Sequence, residues 1–268
     1  MHKALVTLGP FLAFCGISAV AQPKFGAPLM GVARDGQKQI RLVDGVAGNF
    51  VLRDAIDGKA LDWAFAGRGL VKTDRELLVV GATGAVVRRR AAPSGDAVLS
   101  PEAAFFPATG ALWQIGAEKD HATQVPPEVV AGTVMALGPL DAGSVRLAVC
   151  RGDQLWLMVV DVKTGAIRHE LSVGGAIGGA ACRPARAASL VVMTDRLLLA
   201  TAQELLVQTT AGTERRIPIS GNPAVRPEIH RTGEQWIEVE SAGSMPLMVR
   251  LTAESEKLYH LPAPGAHP

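Results

Sequence analysis

"LWLMVVDVKTGAIRHEL", Leu155 to Leu171, changes character halfway along. An unbroken apolar run stops at Asp161-Val162-Lys163-Thr164-Gly165, and the chain resumes with Ile167, His169 and Leu171 alternating against Arg168 and Glu170. A strand buried on both faces reads as continuous apolar sequence, whereas a strand with one wet face alternates. Glycine in the turn supplies a positive φ without a Cβ clash. The stretch therefore reads as a hairpin that leads from an interior strand to a rim strand.

Five relatives of this hairpin occur along the chain: "MGVARDGQKQIRLV" (Met30 to Val43), "LLVVGATGAVVRRR" (Leu77 to Arg90), "ALWQIGAEKDHATQV" (Ala111 to Val125), "ELLVQTTAGTERRIPI" (Glu204 to Ile219) and "PLMVRLTAESEKLYHLP" (Pro246 to Pro262). With anchors at Gly36, Gly84, Lys119, Gly165, Gly212 and Ser255, successive differences are 48, 35, 46, 47 and 43 residues. Such a period marks an array of small supersecondary units. "GTVMALG" (Gly132 to Gly138) and "SVRLAVC" (Ser144 to Cys150) fill the space before the opening hairpin, so the unit has four strands. Four antiparallel strands per unit, with no convincing amphipathic helix, predict an all-β fold: a β-propeller of about six blades. Its first blade is incomplete, because Met30 to Val43 would be a third and an outer strand without two predecessors. "PKFGAP" (Pro23 to Pro28) or "NFVLRD" (Asn49 to Asp54) would complete it to two or three strands. The fifth unit could begin at Gly178 or at Ser189.

The outer strands carry Arg88, Arg89 and Arg90, then Arg168, then Arg215 and Arg216 with Pro218, then Lys257. Charge and proline on an edge strand discourage pairing with a neighbouring molecule. Side chains alternate along a strand, so at most two of the three consecutive arginines share a face, and a guarded edge suits them better than a phosphate site.

The remaining organisation follows from the N-terminus and the composition. Residues 1–21 read as a signal peptide, with Lys3, an apolar run from Ala4 to Val20, and Ala19-Val20-Ala21 before a mature start at Gln22. Residues 22–262 form the propeller domain and 263–268 a disordered tail, which makes the protein exported, periplasmic or extracellular, with no transmembrane anchor after cleavage. A charge of +2 from 27 basic and 25 acidic residues, and 4% aromatics, exclude a nucleic-acid partner and a base-stacking platform. Cys150 and Cys182 both sit in apolar runs, where a cysteine acts as a small core hydrophobe, although an exported chain could pair them.

Chemistry is sparse. His121, His169, His230, His260 and His267 show no spacing that would place two imidazoles on one metal, and His169 and His260 fall on rim strands. HExxH, paired CxxC, a phosphate-binding glycine loop and GxSxG are all missing. Asp62, Asp96, Glu102, Asp141 and Glu228 lie near expected starts of inner strands, where a propeller enzyme lines its central funnel. No catalytic, cofactor-binding or metal-ligating residue is assigned, and no cofactor is implied.

"VVDVKTGAIRHEL" and "PSGDAVLSPEAAFFPATGALWQI" (Pro93 to Ile115) resemble exported bacterial propellers of the NHL and YVTN type in architecture, from Met30 to Leu261. "AIDGKALDWAF" (Ala55 to Phe65) looks like the turn and strand of a pyrroloquinoline-quinone-type repeat; its Trp63 reads as a blade-packing aromatic. The functional expectation is a non-enzymatic module that binds a protein, peptide or cell-envelope component on one ring face. The alternative is an exported hydrolase or lactonase-like enzyme with carboxylates in the funnel. A third reading, a structural unit of a larger assembly, requires a large apolar surface patch.

Overall fold

The computed structural model describes residues 27–35, 37, 39–56, 59–116, 119–126, 130–141, 143–182, 190–201, 203–219, 227–240, 246–253 and 255–261. The expected signal peptide, the tail and the Asp57-Gly58 turn lie outside them.

Six antiparallel sheets follow one another along the chain. Blade one holds β1 (Leu29–Arg34), β2 (Ile40–Val46) and β3 (Asn49–Ala55), and blade two holds β4 (Asp62–Phe65), β5 (Gly69–Lys72), β6 (Glu76–Val80) and β7 (Val86–Ala91). Blade three consists of β8 (Val98–Ser100), β9 (Ala103–Phe106), β10 (Ala111–Gln114) and β11 (His121–Gln124). Blade four consists of β12 (Thr133–Asp141), β13 (Ser144–Arg151), β14 (Gln154–Asp161) and β15 (Ile167–Ser172). A short helix α1 (Gly175–Ala181) leads to blade five, β16 (Leu190–Val192), β17 (Arg196–Ala200), β18 (Glu204–Thr209) and β19 (Glu214–Pro218). Blade six is β20 (Glu228–Arg231), β21 (Trp236–Glu240), β22 (Leu247–Leu251) and β23 (Glu256–His260).

The opening hairpin is β14–β15. Asp161 stops the apolar strand because its Oδ1 accepts the Lys163 and Thr164 amides at 2.8 and 2.9 Å, and Gly165, at φ 72°, completes the turn. β15 beyond it is exposed along nearly its whole length.

Six hydrophobic clusters occupy the six spaces between successive sheets, and the last of them closes the ring. Ala33, Val43 and Phe50 of blade one meet Trp236, Met248 and Leu261 from blade six. No sheet could bury both of its faces alone, and each apolar side chain removed from water between blades contributes about 1.5–3 kcal/mol. Around the axis β4 packs on β8, β8 on β12, β12 on β16, β16 on β20, and β20 back on β4. The inner ring therefore has five strands for six blades, and blade one docks from outside it.

Several expectations change. Met30 to Val43 forms β1 and β2, the inner hairpin of blade one, and Asn49–Ala55 supplies its outer strand. The reason is that β20 meets β4 directly and takes up the place of a fourth strand. Helix α1 was not expected, since its Gly-Ala sequence has no amphipathic period; the fifth sheet begins at Leu190. Cys150 and Cys182 are paired, with Cα atoms 5.3 Å apart, because α1 folds back and brings its C-terminal end to β13. Closing a loop of this length contributes about 3–4 kcal/mol in the chain-entropy account. Arg88 and Arg90 do share a face, and both donate to Asp120 of blade three at 2.9 Å, while Arg89 turns to Glu76 on β6. The rim charges thus join neighbouring blades as well as guarding an edge.

At the seam between blades one and six the backbones lie in contact: Val32 N–H donates to Thr232 O at 3.2 Å, and a Cβ on Gly31 would sit 1.7 Å from that oxygen. Gly31→Ala is expected to destabilise the protein by about 2–3 kcal/mol in urea unfolding. Gly179→Ala, whose Cβ would meet nothing within 4 Å, is expected to be neutral or stabilising by up to about 1 kcal/mol in the same measurement.

Candidate functional site

The five inner strands enclose an axial cavity of about 410 Å³ to which blade one contributes no wall residue. Asp62 and Glu228 open β4 and β20, and both reach His230. The end of the cavity where inner strands begin is called here the leading face. At the other end, the trailing face, Arg231 closes β20. Burial pulls its guanidinium below the usual range, and Glu234, Glu102 and Asp195 work against that shift.

Aliphatic residues such as Val98, Leu137, Val191 and Ile229 line the cavity between these ends. Its leading mouth carries Asp62, Asp96 and Glu228. Of the five carboxylates picked from the sequence for their place near inner-strand starts, these three gather at the mouth. Glu102 and Asp141 do not. Glu102 follows β8 in the turn to β9 and pairs with Arg68 at 2.7 Å, and Asp141 ends β12. The short strand Val98–Ser100 is the inner strand of blade three, so Glu102 follows that strand instead of opening it and lies on the opposite face.

The chemically densest region is the seam beside the mouth. His230 is 3% exposed; its Nδ1 lies 3.2 Å from Asp62 Oδ1 and its Nε2 lies 3.8 Å from Glu228 Oε2. Its ring stacks on Trp63 with centroids 3.6 Å apart, and the Arg34 guanidinium lies over Trp63 at 4.3 Å. β20 and β21 pair Glu228 with Glu240 and His230 with Glu238. Arg34 Nη1 reaches Glu228 and Glu240 at 3.4 and 3.1 Å, and the Arg34 amide donates to both oxygens of the fully buried Glu238 at 3.2 Å. Among the described residues Trp63 Nε1 has no hydrogen-bond acceptor, and His230 Nε2 faces only the Glu228 carboxylate at 3.8 Å.

Desolvation works against a charge on His230, but the Asp62 and Glu228 carboxylates that face its two ring nitrogens outweigh it and hold the imidazolium up to about 9. Burial pushes the Glu238 carboxyl up to about 8, against the opposing influence of His230 and of the Arg34 amide. Nearby, burial lowers the Lys72 ammonium, opposed by Asp74 and Asp96; its Nζ donates to the Asp74 carbonyl at 2.8 Å. Among the described residues no three His, Cys, Asp or Glu side chains gather to hold a metal ion.

His230 and Arg34 were not singled out in the sequence. A signal exists: strand alternation in "EIHR" and "WIEVE" puts Glu228 with His230, and Glu238 with Glu240, on one face. Trp63 packs between blades as expected and also lines the cavity. His169 and His260 are exposed on outer strands and His121 opens β11; His267 lies outside the described residues. The exposed large apolar side chains Val46, Val51, Leu61, Val87, Leu171 and Leu258 are spread over four blades.

His230 binds its proton more tightly folded than unfolded, so its contribution is complete below about pH 6.5 and is lost as pH rises towards about 9. Glu238 also retains a proton that the unfolded chain releases near 4.5, so its contribution disappears between about pH 4.5 and 8. Both act in one direction: the thermal midpoint is expected to fall from pH 5.5 to pH 9, and His230→Gln is expected to flatten that slope in calorimetry.

No family model and no curated protein sequence matches the chain. Solved structures with a similar course include the WD40 domain of Neurospora crassa Pan2, at 10% identity and a TM-score of 0.42, covering 89% of this chain and 81% of that one. Virginiamycin B lyase from Staphylococcus aureus aligns at 11% identity and a TM-score of 0.41, covering 88% of this chain and 85% of that one. AztD from Citrobacter koseri aligns at 12% identity and 0.39, covering 88% and 70%. Identities and scores of this size assign this chain no activity. Its six stacked sheets, read from their own pairing, make it a six-bladed β-propeller.

Proposed function

We propose that the protein is an exported β-propeller, of the kind resembling NHL and YVTN proteins, that binds a protein, peptide or cell-envelope component on its leading face. One observation carries this reading: the axial cavity adjoins a second concavity of about 480 Å³ between blades three and four, and Asp96, Ala97 and Val98 belong to both walls. Adjoining concavities with apolar linings and a few placed polar groups are the usual form of a ligand site. The Cys150–Cys182 pair supports an oxidising compartment, in keeping with the N-terminal signal pattern.

A second reading, a hydrolase or lactonase-like enzyme, is favoured by the Asp62–His230 pair, whose Nε2 is directed towards Glu228. Against it, His230 retains its proton well above neutral pH, so it does not serve as a base there.

The binding reading is tested with immobilised protein and solubilised envelope fractions from the source cells. A defined component is expected to be retained by the native chain and lost by at least about tenfold on Asp96→Arg, which reverses charge at an exposed position of the shared wall. Retention that Asp96→Arg leaves intact, or no retention at all, contradicts the proposal.

A further inference from the structure

We infer that the Cys150–Cys182 disulfide is a thiol-sensitive strap: it holds α1 against the space between blades four and five, and its reduction releases α1 while the ring stays closed. The inference stands independently of the binding reading. The two cysteines are 32 residues apart, and most of that loop is fixed without the disulfide. β13 and β14 pair from Ser144 with Asp161 to Arg151 with Gln154, β14 and β15 pair out to Ser172, and the Val173 amide donates to Leu155 O at 2.8 Å. What the cross-link alone ties down is therefore Gly174 to Cys182, which is α1 with its two ends.

α1 is poorly equipped to stay in place unaided. Its seven residues fall well short of the roughly 12–15 that an isolated helix needs. Three of the seven are glycine, the weakest helix former after proline. Gly174 offers no side-chain cap, and the Ala176 amide donates instead to Glu214 Oε1 of blade five at 2.9 Å. The one large buried side chain is Ile177; Gly178 and Ala181, also buried, bring little apolar area. A covalent bond at Cys182, directly after the last helical residue, supplies the anchorage that propensity and burial do not.

Position makes the bond reachable. Cys150 is 9% exposed and Cys182 half-buried, so an attacking thiolate approaches on the Cys182 side. It forms a mixed disulfide with Cys182, and Cys150 leaves as a thiolate that takes up a proton. A second thiolate then displaces Cys182; two electrons and two protons have passed to the pair, and the two attacking thiols have become one disulfide. Reduced Cys150 stays in an apolar cluster, which suits a free thiol. That cluster joins Ile177 and Ala181 of α1 to Met135, Ala136, Leu190 and Val192, which line the axial cavity. Release of α1 therefore uncovers side chains that back the cavity wall, and couples the redox state of the pair to the shape of the cavity.

Hydrogen exchange of the full chain with and without dithiothreitol tests the strap, read by mass spectrometry over α1, over β6 in blade two and over β21 in blade six. Reduction is expected to speed exchange in α1 by at least about tenfold and to leave β6 and β21 unchanged. Cys182→Ser is expected to give the same pattern without reductant, with circular dichroism establishing that it folds. In the reduced chain Gly179→Ala, whose added Cβ meets nothing within 4 Å, is expected to restore about fivefold of the protection, because it raises helix propensity alone. Unchanged protection of α1 in both the reduced chain and Cys182→Ser would show that packing holds the helix, and the inference would fall. Equal acceleration of α1, β6 and β21 would make the disulfide a staple of the whole ring, which also refutes it. A disulfide that resists dithiothreitol until the chain unfolds would contradict its being reachable.

Discussion

Everything in this molecule depends on closing a ring of six sheets around five inner strands. Blade one has no strand at the axis, so β20 and β4 meet directly and β1 must dock on them from outside. Apolar burial between Ala33, Val43 and Phe50 on one side and Trp236 and Met248 on the other supplies attraction without direction. Direction comes from polar contacts. The missing side chain at Gly31 allows backbone against backbone, and Arg34 fixes β1 to the carboxylates of β20 and β21.

That closure also explains why ionisable groups concentrate at one point of the ring. Elsewhere the inner strands meet through apolar side chains, but at the seam one face of β20 and β21 carries Glu228, His230, Glu238 and Glu240. Buried charges are tolerable only when paired and hydrogen-bonded. Here Arg34 and protonated His230 balance part of the acidity, and Glu238 avoids the cost of ionisation by keeping its proton. The seam lies against the leading mouth of the cavity, so the groups that close the ring also set the electrostatic character of the recess.

Much of this was legible in the sequence, and what was not has identifiable causes. Hairpins such as Leu155 to Leu171 disclose the blades because alternation begins where a strand reaches water, and five of the six fell on the third and outer strands of their sheets. The first failed because its place depends on β20 meeting β4, a contact between residues some 165 apart that no local pattern encodes. Glu102 was misplaced because a three-residue inner strand, Val98–Ser100, carries too little sequence to compete with the apolar run after it. Cys150 and Cys182 read as core residues, which their surroundings are, yet the turn of α1 that joins them has no periodicity to announce it. His230 was hidden for a different reason: its role arises from Asp62 and Trp63 on β4 and Arg34 on β1, two strands far from its own in sequence.

Amide hydrogen exchange at Val32 tests the closed ring most directly, because its N–H donates across the seam to Thr232 O rather than within its own sheet. In a closed ring this amide exchanges as slowly as that of Leu147 in the middle of blade four, through global unfolding. Fast exchange at Val32 with Leu147 still protected would show the seam open, and the account of how this fold is held would be wrong.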